Sequence, residues 1–434
     1  MELRAVAIGG LRPLLYSTPT SESSSSSLAG RGEVLSSFHV SLSNEVKRRA
    51  LAAGFDLAGV APVDVGRDLE FARAWVERGC GGEMAYLRNP KRADPRLVLP
   101  SAKSVVCVGL VYNTPLPYST ETTDPPGPRA WISRYAWGRD YHAIMRSRLE
   151  TLRADIQNLA PGVETRVFVD TGPIVERAIA RLSGIGWLGK NTCLIDQEKG
   201  SWFFLGVILT SLALEPDTAA FDRCGSCRRC LEACPTGALV EPYVMDASRC
   251  ISYFTIELKA SIPVEHRASM GANVFGCDIC QDVCPWNRGT EAGAAPSSAR
   301  DRREPAMTAV SEFQPLTILQ TRDETDAESE TSRPEVRNPK PEPGEFSLFN
   351  PRLEDLASLS EEDFRRLFRD SPIKRTKYRG WLRNLCVAMG NSGDARFAPW
   401  LEQMSRHEDA IVREHAAWAL GRLGYVASSV EAPR

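Results

Sequence analysis

The sequence predicts an α/β layered domain followed by a compact cysteine-rich insert and a helical C-terminal region. Three observations carry that expectation. Helix-period and strand-period apolar patterns alternate over residues 41–215, the mark of a layered α/β domain. Eight of the twelve cysteines crowd into residues 224–284. From 346 to 424 the pattern is helical only, broken by the small-residue turns Gly390-Asn-Ser-Gly393 and His407-Glu-Asp, as in a HEAT-type repeat pair.

Taken in order, residues 1–40 contain the series Ser23 to Ser27, too polar to bury a core, and read as a disordered extension. The apolar stretch near Leu11 is interrupted by Arg12 and Pro13 and is no signal sequence. Val46, Ala50 and Leu51 set a helical period ahead of the apolar run Leu57 to Val60, and Ser104 to Tyr112 reads as a strand buried on both faces. Leu149, Leu152 and Ile156 share one face of a helix after Tyr141. A strand from Arg166 to Val169, a helix from Ile174 to Leu182 and a buried strand from Phe203 to Leu209 complete the domain at 215. Residues 216–290 form the insert. Residues 291–345 open on Glu291-Ala-Gly-Ala-Ala-Pro296, turn acidic from Asp323 to Glu345, and read as a second disordered segment. Helices over Tyr378 to Met389, Ala395 to Met404 and Ala410 to Leu423 make up the region 346–424, and 425–434 is a tail.

With 434 residues, 43% hydrophobic and 25% charged, the chain has globular composition and length for two or three domains. A net charge of −2 excludes global attraction to nucleic acid or membrane, so any polyanion must meet a local patch. No apolar run approaches a membrane span. The cysteine usage points to a reducing, cytoplasmic setting, with Cys80, Cys107, Cys193 and Cys386 as small buried apolar residues.

The runs Cys224-Gly-Ser-Cys227-Arg-Arg-Cys230-Leu-Glu-Ala-Cys234-Pro235 and Cys277-Asp-Ile-Cys280-Gln-Asp-Val-Cys284-Pro285 carry the chemistry. A thiolate at every third position gives one loop three sulfurs for one cubane cluster, while the Cys before each Pro reaches the other cluster, as in two-cluster ferredoxins. The expected 4Fe-4S ligand sets are therefore Cys224, Cys227, Cys230 and Cys284, and Cys234, Cys250, Cys277 and Cys280, with Cys250 replacing the first cysteine missing from the second run. Four-thiolate zinc is the plainer alternative, but it leaves the x3-C-P endings unexplained.

Four further stretches could receive the electrons or bind a partner. Val169-Asp170-Thr171-Gly172-Pro173 puts Asp170 at a strand end, where an α/β sheet presents functional groups; a helix cap is the alternative. To give a proton near neutral pH, Asp170 needs desolvation to raise its pKa. Gly184-Ile-Gly-Trp-Leu-Gly189-Lys190-Asn191-Thr192 allows close backbone approach and offers Lys190 and Asn191 as donors. Its G-x-x-x-x-G-K spacing lacks the hydroxyl of a nucleotide loop, and a tight strand connection is the alternative. Ser133-Arg134-Tyr-Ala-Trp-Gly-Arg-Asp-Tyr141-His142 mixes rings and cations suited to a flat or polyanionic ligand, or to an ordinary core boundary. Finally, Lys374, Arg375, Lys377, Arg379 and Arg383, interleaved with Tyr378 and Trp381, form a basic patch for RNA or a solvated helix start. Trp400 and Trp418 read as core.

These motifs, with Ser371-Pro-Ile-Lys-Arg375 and Leu382-Arg383-Asn384, resemble the epoxyqueuosine reductase family over roughly 41–290 and 346–424. The resemblance implies an oxidoreductase that reduces the epoxide of epoxyqueuosine at the tRNA wobble position to queuosine, the last step of that modification, using cobalamin and two 4Fe-4S clusters. It makes 41–215 a cobalamin-binding catalytic domain, 216–290 a ferredoxin-like domain and 346–424 a HEAT-like tRNA-binding domain. It assigns Asp170 as proton donor and places Arg92, Ser133, Arg134, Tyr141, His142, Asp170, Gly189, Lys190, Asn191, Thr192, Leu194, Ser252 and Asp278 about the cofactor. Ser133 falls where some members carry a Cys. Lys374, Arg375, Lys377, Arg379 and Arg383 would grip a tRNA with a queuosine-family anticodon. An external one-electron reductant of flavodoxin or ferredoxin type, a monomer and no membrane complete the expectation. A corrinoid reductive dehalogenase is the rival enzyme, though no Arg-Arg pair precedes residue 48 to form an export signal. A ferredoxin-like carrier with a nucleic-acid-binding tail is the rival without catalysis.

Overall fold

The computed structural model describes residues 32–121, 127–288, 305–319 and 345–425. The chain divides into two units, Met1–Phe38 and His39–Arg434, and the second carries everything discussed below. Its centre is a four-stranded sheet of β1 (Leu57–Pro62), β2 (Ser104–Val111), β3 (Thr165–Phe168) and β4 (Phe203–Thr210), in the order β1-β2-β4-β3. Every pairing is antiparallel, so one rung runs Val60, Val106, Ile208, Val167.

Alternation along β2 divides the core. Val106, Val108 and Leu110 face Val46 and Ala50 of α1 (Gly32–Ala52) and Met145, Leu149, Leu152 and Ile156 of α2 (Tyr141–Leu159). Val105, Cys107 and Val111 face Ala178, Ile179 and Ala180 of α3 (Glu176–Leu182). With helices on both faces, β2 is buried along its whole length, which an alternating strand with one wet face would not be. A Cβ on Gly59 would lie 2.2 Å from the Ser183 carbonyl oxygen, so only glycine lets the end of α3 rest on β1.

Both cysteine runs pass through short helices, Arg229–Ala233 and Ile279–Asp282, and Cys250 is followed by a π-helical turn, Tyr253–Glu257. Asn273–Phe275 joins this module to the first domain by pairing parallel to Trp131–Ile132. The C-terminal helices are α4 (Lys377–Ser392), α5 (Ala398–Met404) and α6 (Ala410–Arg422). Left-handed Gly393 ends α4, and Pro399 in the first turn of α5 limits that helix to a later start than the sequence suggested. One apolar core joins Trp131, Ile132, Trp137 and Phe275 to Trp381, Leu385 and Val412, so the helical layer does not have a core of its own.

Two sequence expectations need correction. The extension assigned to 1–40 overlaps α1, which begins at Gly32; its remainder lies outside the described residues. The segment 291–345 is not structureless throughout: Val310 and Phe313 are buried, and Thr317–Leu319 pairs antiparallel with Glu345–Ser347. Their apolar side chains are diluted by polar neighbours in the composition. Among the described residues no helix is long and apolar enough to cross a membrane.

Candidate functional site

The cysteine thiols interact in two groups. Burial, then Cys224 and Cys227, raise Cys230 to about 11, and burial raises Cys284 to about 12 with Cys224 and Cys230 among its neighbours. Burial pushes Cys277 up, with Cys250 and Cys234 beside it; Cys280 is raised by its hydrogen bond to Cys193 and by burial, with Cys277 and Cys250 adding to the shift. Thiols gathered this way resist ionisation until a cation neutralises them. Ser252 serves this centre, hydrogen-bonding Cys250 through backbone and hydroxyl.

One loop tethers both cysteine runs. The Lys190 ammonium donates to the Gly225 and Cys227 carbonyls at 2.5 and 2.9 Å, and the Asn191 amide donates to the Cys280 carbonyl at 3.2 Å while its oxygen accepts from Cys193 N. Lys190 and Asn191 are therefore committed to the protein, not offered to a ligand. Gly189 packs tightly in its own hairpin, where a Cβ would lie 2.5 Å from Ile195 Cδ1 and displace that side chain, and Leu194 is buried in the same hairpin. Cys193, expected as apolar filler, lies against Cys280 instead.

Ser133, Arg134 and Asp278 form a closed network. The buried Asp278 carboxylate accepts from Ser133 Oγ at 2.5 Å, Trp131 Nε1 at 3.0 Å and Arg134 N at 2.8 Å. Arg134 spends its terminal nitrogens on Thr114, Leu116 and Pro117 carbonyls and lies 4.5 Å from the Trp137 ring centre. These three side chains are buried and spend their polar atoms on one another and on nearby backbone.

Open to solvent are Asp170 and its neighbours. Asp170 follows β3 with a left-handed φ of 55°, a conformation Asp tolerates better than most residues, and its N–H donates to Glu176 Oε1 at 2.8 Å. Its side chain is 62% exposed. Tyr141 donates to Asp170 Oδ2 at 3.0 Å, and His142 Nε2 lies 3.8 Å from the same oxygen. Arg92 caps the turn by donating to the Gly172 carbonyl at 3.3 Å, and Arg177 donates to the Thr192 carbonyl at 2.6 Å, tying this turn to the loop that holds the cysteines.

The electrostatics reverse the sequence expectation for Asp170. The nearby His142 imidazole outweighs desolvation and, with the Tyr141 hydroxyl, holds the Asp170 carboxyl below its ordinary range. Burial and the Asp170 charge push its neighbour Glu176 up to about 8. Burial alone would lower His142, but Asp140 and then Asp170 raise it to about 9. Asp140, though part of the run that ends at His142, and Glu176 were given no role from the sequence.

The basic segment divides likewise. Lys374 pairs with Asp140 at 2.8 Å, Arg375 binds Glu257 through two hydrogen bonds, Arg379 donates to the Lys259 carbonyl, and Lys377 is exposed. Arg383 is a correction: it is 2% exposed and its guanidinium donates to the Phe254, Leu258 and Ala260 carbonyls. Trp381 is wholly buried and cannot stack on a base. A recess of about 600 Å³ bordering the Asp170 turn is lined by Lys91, Arg146, Arg153, Arg166 and Thr171, with Glu150 its one acid.

Residues 223–287 match the family described as 4Fe-4S double cluster binding domain, and residues 92–171 match the one described as Epoxyqueuosine reductase QueG, DUF1730. The chain is 36% identical to the epoxyqueuosine reductase of Xanthomonas campestris pv. campestris, across 87% of this chain and 95% of that one. It is 37% identical to that of Pseudomonas aeruginosa, across 88% and 95%. Among solved structures, an epoxyqueuosine reductase with a tRNA-Tyr epoxyqueuosine-modified stem loop superposes with TM-score 0.70 at 29% identity, covering 89% of this chain and 91% of that one. The Bacillus subtilis epoxyqueuosine reductase, with its catalytic aspartate loop swung out of the active site, superposes with TM-score 0.69 at 29% identity over the same shares.

Proposed function

Because the chain belongs to the epoxyqueuosine reductase family, we propose that it reduces epoxyqueuosine at the wobble position of tRNA to queuosine, using cobalamin and two 4Fe-4S clusters. The observation that carries this reading is the loop Gly189–Cys193. On one side Lys190 and Asn191 hold the two cysteine runs, and on the other Thr192 is held by Arg177 beside the Asp170 turn. Electron supply and proton supply thus share one support.

The donor set suits the cofactors unequally. Two groups of four cysteines fit two cubanes, each set drawn from both runs. For a corrin, Arg92, Tyr141, His142 and Asp170 and the backbone of Gly189–Thr192 would line its polar rim, while Arg134, Lys190, Asn191 and Asp278 support from behind. When bound, the clusters supply electrons singly and cobalamin supplies the cobalt centre that joins two such deliveries into one reduction.

The chain's own residues manage the protons and the polyanion. Opening the epoxide leaves an oxygen that must be protonated, and Asp170 is placed to do it, oriented by the Tyr141 hydroxyl. A bound nucleoside that displaces water from Asp170 raises its carboxyl toward the range where it gives a proton. Lys374, Arg375, Lys377 and Arg379, with Lys91, Arg146 and Arg166 around the recess, supply the positive charge a tRNA backbone requires. The HEAT-like layer, a monomeric state, a cytoplasmic location and an external flavodoxin- or ferredoxin-type reductant belong to the same reading.

The test is anaerobic purification, reconstitution with cobalamin, and mass spectrometry of nucleosides after incubation of epoxyqueuosine-containing tRNA with reductant. About eight irons and one cobalt per chain with conversion to queuosine are expected. Iron without corrinoid uptake or tRNA conversion would leave an electron carrier.

A further inference from the structure

Asp170 is held as a carboxylate, so a proton donor at this position needs a supplier. We propose that His142, held by Asp140, is that supplier: it gives a proton from Nε2 to Asp170 once bound substrate has displaced water from the carboxyl, with Asp140 as the positioning residue. The inference rests on the proton-donor reading of Asp170 given above.

The geometry is a row of alternating charges. Asp140 Oδ1 lies 2.6 Å from His142 Nδ1, which fixes the tautomer that puts a proton on Nδ1 and leaves the Nε2 edge facing Asp170. Nε2 is shielded from water, has no hydrogen-bond partner, and stands 3.8 Å from Asp170 Oδ2, a gap that a small turn of the Asp170 side chain closes. The imidazole cannot slide away, because Tyr141 stacks on it with ring centres 4.1 Å apart. The other Asp140 oxygen takes the Lys374 ammonium at 2.8 Å, so Asp140 stays ionised between two cations.

The transfer balances without a further reagent. The Nε2–H bond of the imidazolium breaks, its electron pair stays on nitrogen, and an O–H bond forms on Asp170. Neutral His142 keeps its Nδ1–H on Asp140 and, after product leaves, regains its Nε2 proton from water by way of the solvent-exposed Asp170 carboxyl.

The charged and titratable groups facing this pair are Asp140, Lys374, Asp170 and Tyr141, with Glu176 and Arg375 acting on Asp170 from α3 and from the segment before α4, Arg92 and Tyr86 acting on it from the segment after residue 85, and Tyr135 packed edge-on to Tyr141. The balance of these groups holds His142 at about 9.

Asp140→Asn isolates the charge, since Asn keeps an oxygen for the α2 cap at His142 N and for Nδ1. In the cluster-loaded protein, ring NMR of the five histidines, assigned with His142→Gln, should show His142 titrating well above its ordinary 6.5, and Asp140→Asn should lower it by about one unit or more. Turnover in Asp140→Asn should fall on the order of tenfold near pH 8.5 with KM for tRNA unchanged, and recover at lower pH. A wild-type His142 that titrates at or below the ordinary value overturns the proposal. So does an Asp140→Asn protein unchanged in both titration and pH profile while the wild type converts its substrate. A wild type that leaves epoxyqueuosine intact overturns instead the reading on which the proposal rests.

Discussion

Replacing Arg383 by Met separates two jobs that its position in a basic run confuses. A phosphate-binding arginine would be dispensable to the fold; this one donates to three main-chain carbonyls of the turn after Cys250. Stranding a buried acceptor costs about 1–3 kcal/mol, so three of them amount to about 5 kcal/mol. Burial of a guanidinium with no carboxylate partner offsets part of this. Its pKa is drawn from 12.5 to about 10, a penalty on the charged form of about 3 kcal/mol at 1.36 kcal/mol per unit, which Met relieves. Arg383→Met should therefore destabilise the protein by about 2 kcal/mol, read as a lower urea midpoint by fluorescence under anaerobic conditions. Binding of an anticodon stem-loop under conditions where both proteins are folded should keep its salt dependence. An unchanged midpoint with weaker binding and a salt slope reduced by about one would refute the reasoning and return Arg383 to the phosphate contacts.

Other substitutions probe the site from different sides. Asp170→Ala should retain cluster iron and cobalamin yet lose turnover by on the order of 100-fold or more, and unchanged nucleoside conversion would remove Asp170 from the chemistry. Lys190→Met cuts both tethers to the first cysteine loop, so iron per chain should drop from about eight toward four on purification, with the remaining cluster intact by EPR. His142 binds its proton more tightly folded than unfolded, so its contribution to stability is complete below about pH 6.5 and is lost as pH rises through about 9. The urea midpoint should decline across that window and His142→Gln should flatten the decline; Glu176, raised to about 8, contributes with the same sign from about 4.5 upward and keeps its burial-driven share of the decline in that variant.

What the sequence made legible was local. β2 could be read because every position from Ser104 to Val111 is buried, and α2 because Leu149, Leu152 and Ile156 recur at helical spacing. The double-cluster module was legible because sulfur spacing is itself the ligand geometry. The misreadings concern partners distant in the chain. Lys190 finds its carbonyls 35 and 37 residues on, Asn191 reaches one 89 residues on, and Arg383 reaches back more than a hundred. No local pattern says which cation in a basic run turns inward. The charge on Asp170 depends on His142, whose own charge depends on Asp140 beside Lys374, a chain assembled only by folding. Composition averaged over 291–345 concealed Val310, Phe313 and Ile318 for the same reason.

The Lys190–Asn191 pair gives the protein a mechanical memory of its metal content. A cysteine loop that loses its iron keeps protonated thiols but loses the metal that cross-links them, and these two residues are its nearest fixed attachments. Loosening of the loop reaches the segment that also bears Thr192, and through Arg177 the turn that presents Asp170. Oxidative damage at either cluster would thus disarrange the proton site before any electron failed to arrive, and a half-loaded protein would be idle rather than half as fast.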